Sequence, residues 1–222
     1  MKKNIFIVAV FFSLFTKETI AESDKTIKFD VYNANGYTYQ VSENLLFIDG
    51  DTYDIYILSE TEDDYRFFRP FLCGIYPYSF HPDKGHFASF MYGTDTPDFS
   101  APEKVEEIEL LEDYVNAILA NTFRKFFILD ESEYECPHEE KIAYLTEYYL
   151  PFLNKSQLRV LRNTIYAHYG YRFKSKDLQM LFSKCSSIEK KWYIPVDNFD
   201  ESLISEPHKD FINLIKEFEY KK

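Results

Sequence analysis

Apolar and polar residues alternate near the start of the chain. Ile27, Phe29 and Val31 interleave with Lys28, Asp30 and Tyr32, and beyond Asn35-Gly36 the alternation resumes at Tyr37, Tyr39 and Val41. Period two on both sides of an Asn-Gly pair predicts an antiparallel hairpin. Leu45 to Ile48, the turn residues Asp49-Gly50-Asp51 and the alternating Tyr53, Ile55 and Ile57 predict a second hairpin. Thr61 to Asp64 then turns into a strand over Tyr65 to Arg69, which brings the expectation to about five strands. Between Pro70 and Pro102 proline, glycine and aromatic residues dominate, so loops packed by large rings are expected there, with room for one further strand.

The period then changes. Ser100-Ala101-Pro102-Glu103 offers an N-cap, a proline in the first turn and a capping-box glutamate, and predicts a helix. Val105, Ile108, Val115 and Ile118 would bury against the sheet, leaving Glu106, Glu107, Glu109 and Asp113 in water. Further on, Ser156 is expected to cap a helix with the stripe Leu158, Leu161 and Ile165, flanked by Arg159 and Arg162 and closed by a left-handed Gly170. Ser175 would cap another, with Leu178, Leu181 and Phe182 inward, and Ser205 a third, bearing Phe211, Leu214, Ile215 and Phe218. The predicted class is α+β. An antiparallel β meander, sandwich or barrel-like, with a packed helix occupies residues 22–147, and a small all-helical domain occupies residues 148–222.

Composition adds an address. Lys2 and Lys3 precede an apolar run from Ile5 to Phe15, and Thr19-Ile20-Ala21 ends it with small residues. This reads as a secretory signal peptide over residues 1–21. The run falls short of the roughly 20 residues that cross a bilayer as a helix, so no membrane anchor is expected and the protein is placed in the periplasm or outside the cell. The whole chain of 222 residues carries a formal charge of -12. That charge is unevenly divided: residues 22–147 hold 9 Lys+Arg against 27 Asp+Glu, and residues 148–222 hold 13 against 9. The acidic half would repel phosphates, which argues against a nucleic-acid partner. With Cys73, Cys136 and Cys185 an odd number of thiols meets an oxidising compartment. A Cys73–Cys136 disulfide, which would stabilise by ~4 kcal/mol on the chain-entropy model, stands beside the alternative of three buried thiols.

The carboxyl-terminal third carries an ordered set of motif residues: Leu158-Arg159, Arg162-Asn163, Ile165-Tyr166-Ala167, Gly170-Tyr171, Phe173, Leu178, Phe182, Trp192-Tyr193, Pro195, Asn213, Ile215-Lys216 and Glu219. Over about residues 148–219 this pattern resembles the YARHG domain of exported bacterial proteins. The resemblance implies a small extracellular or periplasmic domain, often appended to other modules, without an established molecular role. Where the family name spells Tyr-Ala-Arg-His-Gly, this chain reads Tyr166-Ala167-His168-Tyr169-Gly170. Tyrosine, with a free pKa near 10, cannot stand in for histidine as a base at neutral pH, so these positions are expected to serve structure.

Arg162, Tyr166, His168, Tyr169, Trp192 and Tyr193 are the candidate binding residues, because rings stack on sugars and arginine pairs with carboxylates or phosphates. His81 and His86, which flank Asp83 and Lys84, and the run Cys136-Pro137-His138-Glu139-Glu140 bring imidazoles near carboxylates. Neither has the spacing of a zinc protease or of a structural zinc site, and no catalytic residue, metal or cofactor is assigned. The expected function is that of a noncatalytic envelope module binding a glycan, a peptide or another exported protein. The alternative is an exported hydrolase built on His81 and His86. An enzyme would need convergent polar groups in a pocket, whereas a binder presents an aromatic or apolar surface.

Overall fold

The computed structural model describes residues 25–34, 37–48, 55–60, 65–68, 78–81, 86–89, 103–129, 137–188 and 191–222. The predicted leader, the turns at Asn35-Gly36 and Asp49-Gly50-Asp51, the helix start at Ser100, and both Cys73 and Cys136 lie outside the described residues.

Eight strands are described: β1 (Thr26–Ala34), β2 (Tyr37–Val41), β3 (Leu45–Ile48), β4 (Ile55–Glu60), β5 (Tyr65–Phe68), β6 (Tyr78–His81), β7 (His86–Ser89) and β8 (Glu103–Leu111). They form one antiparallel sheet of order β7-β6-β5-β4-β3-β2-β1-β8, so β1 to β7 make a meander and β8 returns to lie beside β1. The sequence left sandwich and barrel open; the described strands form a single sheet. The alternation read from Ile27 to Val41 becomes the β1–β2 hairpin, with Asp30 opposite Val41 and Ala34 opposite Tyr37. Phe29, Val31, Tyr39, Val41, Leu45, Leu46 and Phe47 are buried.

Residues 103–111 correct the sequence reading, which made them the start of a helix. They are strand β8, with Ile108 opposite Phe29 and Leu110 opposite Ile27. The helical spacing of Val105 and Ile108 has a local cause: Glu106 pairs with Val31 and Lys104 with Tyr32, so Val105 is an extra residue in a β-bulge. A bulge shifts the strand's alternation by one position, so Val105 falls out of phase with the inward pair Ile108 and Leu110, and its spacing to Ile108 is three, as on a helix. Val105 itself is exposed. Glu106, Glu107 and Glu109 remain in water, but on a strand, whereas Asp113 falls in the helix that follows and lies 3.5 Å from Lys184. Asp30 directly faces Glu107, a like-charge opposition that disfavours pairing, and lysines offset it: Lys28 Nζ lies 3.2 Å from Glu107 and Lys104 Nζ 2.6 Å from Asp30.

Helix α1 (Glu112–Phe123) follows at once, its first N–H donating to the Lys25 carbonyl at 2.8 Å. Every residue from Val115 to Phe123 is buried, the mark of a helix covered all round. Its last turn widens into a π turn over Arg124–Ile128, where the Leu129 N–H reaches the Arg124 carbonyl, and this places Phe123, Phe126 and Phe127 all inside. Then come α2 (His138–Tyr144), a second π turn over Leu145–Tyr149, α3 (Lys155–His168), α4 (Lys176–Ile188) and α5 (Glu206–Lys221). No described helix is long and apolar enough to cross a membrane.

One core joins sheet and helices. Phe29, Leu45 and Phe47 of the sheet, Val115, Ile118, Leu119 and Phe123 of α1, Leu158, Leu161 and Ile165 of α3 and Phe211, Ile212 and Ile215 of α5 belong to the same buried cluster. Ala117 and Ala120, on the other side of α1, pack with Leu178, Leu181, Phe182, Cys185 and Tyr193 in a second cluster. Leu145, Tyr149 and Leu150, on either side of the boundary expected at residue 147, belong to the first cluster.

A polar clasp fixes the start of α3 on the sheet. Asn154, not Ser156, is the N-cap: its Oδ1 accepts from the Gln157 N–H at 2.9 Å while Gln157 Oε1 accepts from the Asn154 N–H at 2.8 Å. From the β2–β3 turn, Asn44 Nδ2 donates to that same Gln157 Oε1 and to the Phe152 carbonyl, each at 2.8 Å. Gln157 is buried, so this satisfied network fixes where α3 starts relative to the sheet.

Candidate functional site

Arg162, Tyr166 and Tyr169 recur at i, i+4 and i+7, so they line one face of α3, the one turned toward α5 and the segment before it. Arg162 Nη1 lies 3.3 Å from Glu219 Oε2 on α5, and both side chains are largely covered. Neither Arg162 Nε nor Glu219 Oε2 makes a hydrogen bond, so the pair is a charge contact between two helices. Tyr166 Oη donates to Glu201 Oε1 at 3.4 Å, and its ring packs on Tyr171 and Phe199. Burial, then the Glu201 carboxylate, raises the Tyr166 phenol above its ordinary value.

Tyr169 connects α3 to the start of α5. Its hydroxyl lies 2.8 Å from His208 Nδ1, accepts from the Ser205 N–H at 3.1 Å, and sits 3.2 Å from Ser205 Oγ. Ser205 is the N-cap, as the sequence predicts, but its hydroxyl makes no cap hydrogen bond to its own helix. Which of the two donates follows the His208 tautomer: an unprotonated Nδ1 accepts from the Tyr169 hydroxyl, a protonated one donates to it. A histidine at position 169 would be too short to make this bridge in the same way, which gives the tyrosine a structural reason to be there.

His168 sits beside this bridge, its ring centroid 5.1 Å from Tyr169 and 6.2 Å from His208. Burial, the Arg124 guanidinium and His208 lower its pKa to about 4. Burial, then Lys141 and His138, lowers His208 as well. At neutral pH both imidazoles are therefore uncharged.

Trp192 and Tyr193 are placed on the α4 side of the helical unit. The Trp192 indole N–H donates to Asn121 Oδ1 at 2.9 Å, its ring stands 5.9 Å from Phe182, and the Arg124 guanidinium lies 4.7 Å from its centroid. Asn121 Nδ2 in turn donates to the Cys185 carbonyl at 3.2 Å. Tyr193 is buried, packs on Phe173 and Phe182, and donates to the Tyr171 carbonyl at 3.1 Å. The six sequence candidates thus divide into a set facing α5 (Arg162, Tyr166, Tyr169) and a set facing α4 (Trp192, Tyr193). His168 stands between them, next to Arg124.

Gly170, at φ 82°, ends α3 in the left-handed region as predicted, and its carbonyl accepts from the Val196 N–H at 2.9 Å. The segment thereby held across the end of α3 exposes Ile194 (64%), Val196 (42%) and Leu203 (65%).

The other candidates fall elsewhere. His81 ends β6 and His86 begins β7, opposite one another in the ladder and so on strands, where a loop was expected. His138 Nε2 lies 3.0 Å from Asp210 Oδ2. Among the described residues no group of three His, Cys, Asp or Glu side chains comes together as a metal site. His208, Arg124, Asn121 and Glu201 escaped the sequence reading. Each acts on a motif residue from a distant part of the chain, and nothing in its immediate sequence signals that role.

The geometry defines an α+β protein whose carboxyl-terminal helices are tied together by the motif residues themselves. Residues 133–220 match the family model of the YARHG domain, so this part of the chain carries a YARHG domain, starting upstream of the predicted residue 148 and taking in α2. The chain matches no curated protein and no solved structure. The domain points to an exported bacterial protein.

Proposed function

We propose that this protein is a noncatalytic binding or accessory module of the bacterial envelope, and that its ligand is a peptide or another exported protein docking on the surface around Ile194, Val196 and Leu203. The observation that carries this reading is the exposure of those three aliphatic side chains on a segment pinned to Gly170 and bordered by Phe199, which packs on Tyr166 and Tyr171. A pre-ordered apolar surface binds without an entropy cost for ordering it. The hydroxyl and indole groups of Tyr166, Tyr169, Trp192 and Tyr193 are engaged within the protein, which favours contact through surfaces over chemistry.

The test compares the chain with an Ile194→Ser/Leu203→Ser variant, both positions being exposed enough to leave the melting temperature within about 2 °C. Binding to immobilised envelope peptides and exported proteins is expected to weaken at least tenfold in the variant, a loss of about 1.4 kcal/mol. Equal binding by both proteins contradicts the proposed surface. Binding only to cell-wall glycan, lost on replacing Trp192 instead, would move the ligand to the aromatic set.

A further inference from the structure

Three imidazoles gather where α2, α3 and α5 meet. His208, in the first turn of α5, stands 6.2 Å from His168 and 5.7 Å from Tyr169, both near the end of α3, and packs on Phe211 at 6.1 Å. Phe211 also meets His138 of α2, at 5.1 Å. Two permanent cations face the same place: Arg124, from the π turn after α1, acts on His168, and Lys141 of α2 acts on His208. Acidic neighbours are engaged elsewhere. Asp210 pairs with His138 at 3.0 Å, Glu206 pairs with Lys209 at 2.6 Å, and Glu201 accepts from Tyr166. Among the described residues, no carboxylate pairs with His168 or His208.

We infer that the start of α5 is an acid-sensitive latch: it is docked while His168 and His208 are neutral, and mild acid loosens it from α3. A proton on either ring adds a positive charge beside the other ring and beside Arg124 or Lys141. A protonated His208 donates at both ring nitrogens, so Nδ1 can then no longer accept from the Tyr169 hydroxyl. The direction follows from the folded site's reluctance to bind protons. A free histidine takes up its proton near pH 6.5, whereas His168 in place does so only at about 4. Between those values the opened state holds more protons, so docking weakens as pH falls from about 6.5 and weakens no further below about 4. His138 Nε2, by contrast, lies 3.0 Å from Asp210 Oδ2. Loosening would uncover Phe211 and the Tyr169 face of α3, giving an exported protein a surface that appears only in acid.

Hydrogen exchange of the intact chain, corrected for the intrinsic pH dependence of exchange, tests the latch. Opening of the first two turns of α5 is expected to increase about tenfold between pH 7.5 and 5.0, a full shift giving roughly thirtyfold before solvent screening of half-buried rings is allowed for. Amides in the middle of α3 should change by less than about twofold. In the His168→Gln/His208→Asn double variant, where Asn keeps an acceptor for Tyr169, the pH effect should fall below about threefold. Unchanged exchange in the wild type, an equal increase in α3 and α5, or an undiminished effect in the double variant overturns the inference. Should the variant fail to fold, the wild-type His168 proton resonance decides: a midpoint well below 6 supports the latch and one at or above 6.5 overturns it.

Discussion

A fragment spanning residues 133–222, the whole of the family match, is expected not to fold by itself, whereas a fragment from residue 103 onward regains helical structure and a melting transition. The reason is α1, which precedes the match. Val115, Ile118, Leu119 and Phe123 bury against Leu158, Leu161 and Ile165, and Ala117 and Ala120 lie under Leu181, Phe182 and Cys185. Burying a large apolar side chain stabilises by about 1.5–3 kcal/mol, so those four residues alone contribute on the order of 10 kcal/mol. That is as much as the entire stability of a typical domain, roughly 5–15 kcal/mol. Asn121 goes with the same helix, which leaves the Trp192 indole and the Cys185 carbonyl without their partner. Circular dichroism on heating distinguishes the fragments: the shorter one should melt without a cooperative step, and a sharp transition in it would refute the dependence on α1.

Replacing Gly170 by valine is expected to be the most damaging single substitution within the motif. At φ 82° any side chain is strained, and a Cβ at this position would come within 2.9 Å of the Ile194 carbonyl oxygen and 3.3 Å of Val196 Cγ1. A left-handed residue with a side chain costs about 1–2 kcal/mol by itself, and β-branching and the backbone clash raise the total to about 3–5 kcal/mol. For a chain of this size that lowers the melting temperature by roughly 10–15 °C. Thermal denaturation measures it directly. Because the obstructing atom is backbone, the 194–203 segment must move for valine to fit, so binding through Ile194 and Leu203 should weaken as well.

Much of the fold was legible wherever a local rule operates alone. Alternation over Ile27 to Val41 gave the first hairpin, and the stripes Leu158-Leu161-Ile165 and Leu178-Leu181-Phe182 are buried as read. Gly170 was legible for the same reason, since the end of a helix demands a left-handed residue. Residues 103–111 were misread because the bulge at Val105 counterfeits the helical period. Asn154-x-x-Gln157 is a capping box that can be read from sequence, and Ser156 drew attention away from it. The site was less legible. Arg162 and Glu219 were both motif residues, but their pairing across α3 and α5 is a tertiary fact. The bridge from Tyr169 to Ser205 and His208 likewise joins positions far apart in sequence. The sequence reading assigns Tyr169 and His168 to structure rather than to chemistry. In the folded chain they lie at the junction of α3 and α5.

The central claim is that the sheet, α1 and the YARHG helices share one core and therefore unfold together. Differential scanning calorimetry of the chain from residue 22 onward tests it most directly at neutral pH. The account predicts one transition whose calorimetric and van't Hoff enthalpies agree, the signature of two-state unfolding. Two resolved transitions, or a calorimetric enthalpy near twice the van't Hoff value, would mean that the acidic and helical segments unfold separately, and would contradict it.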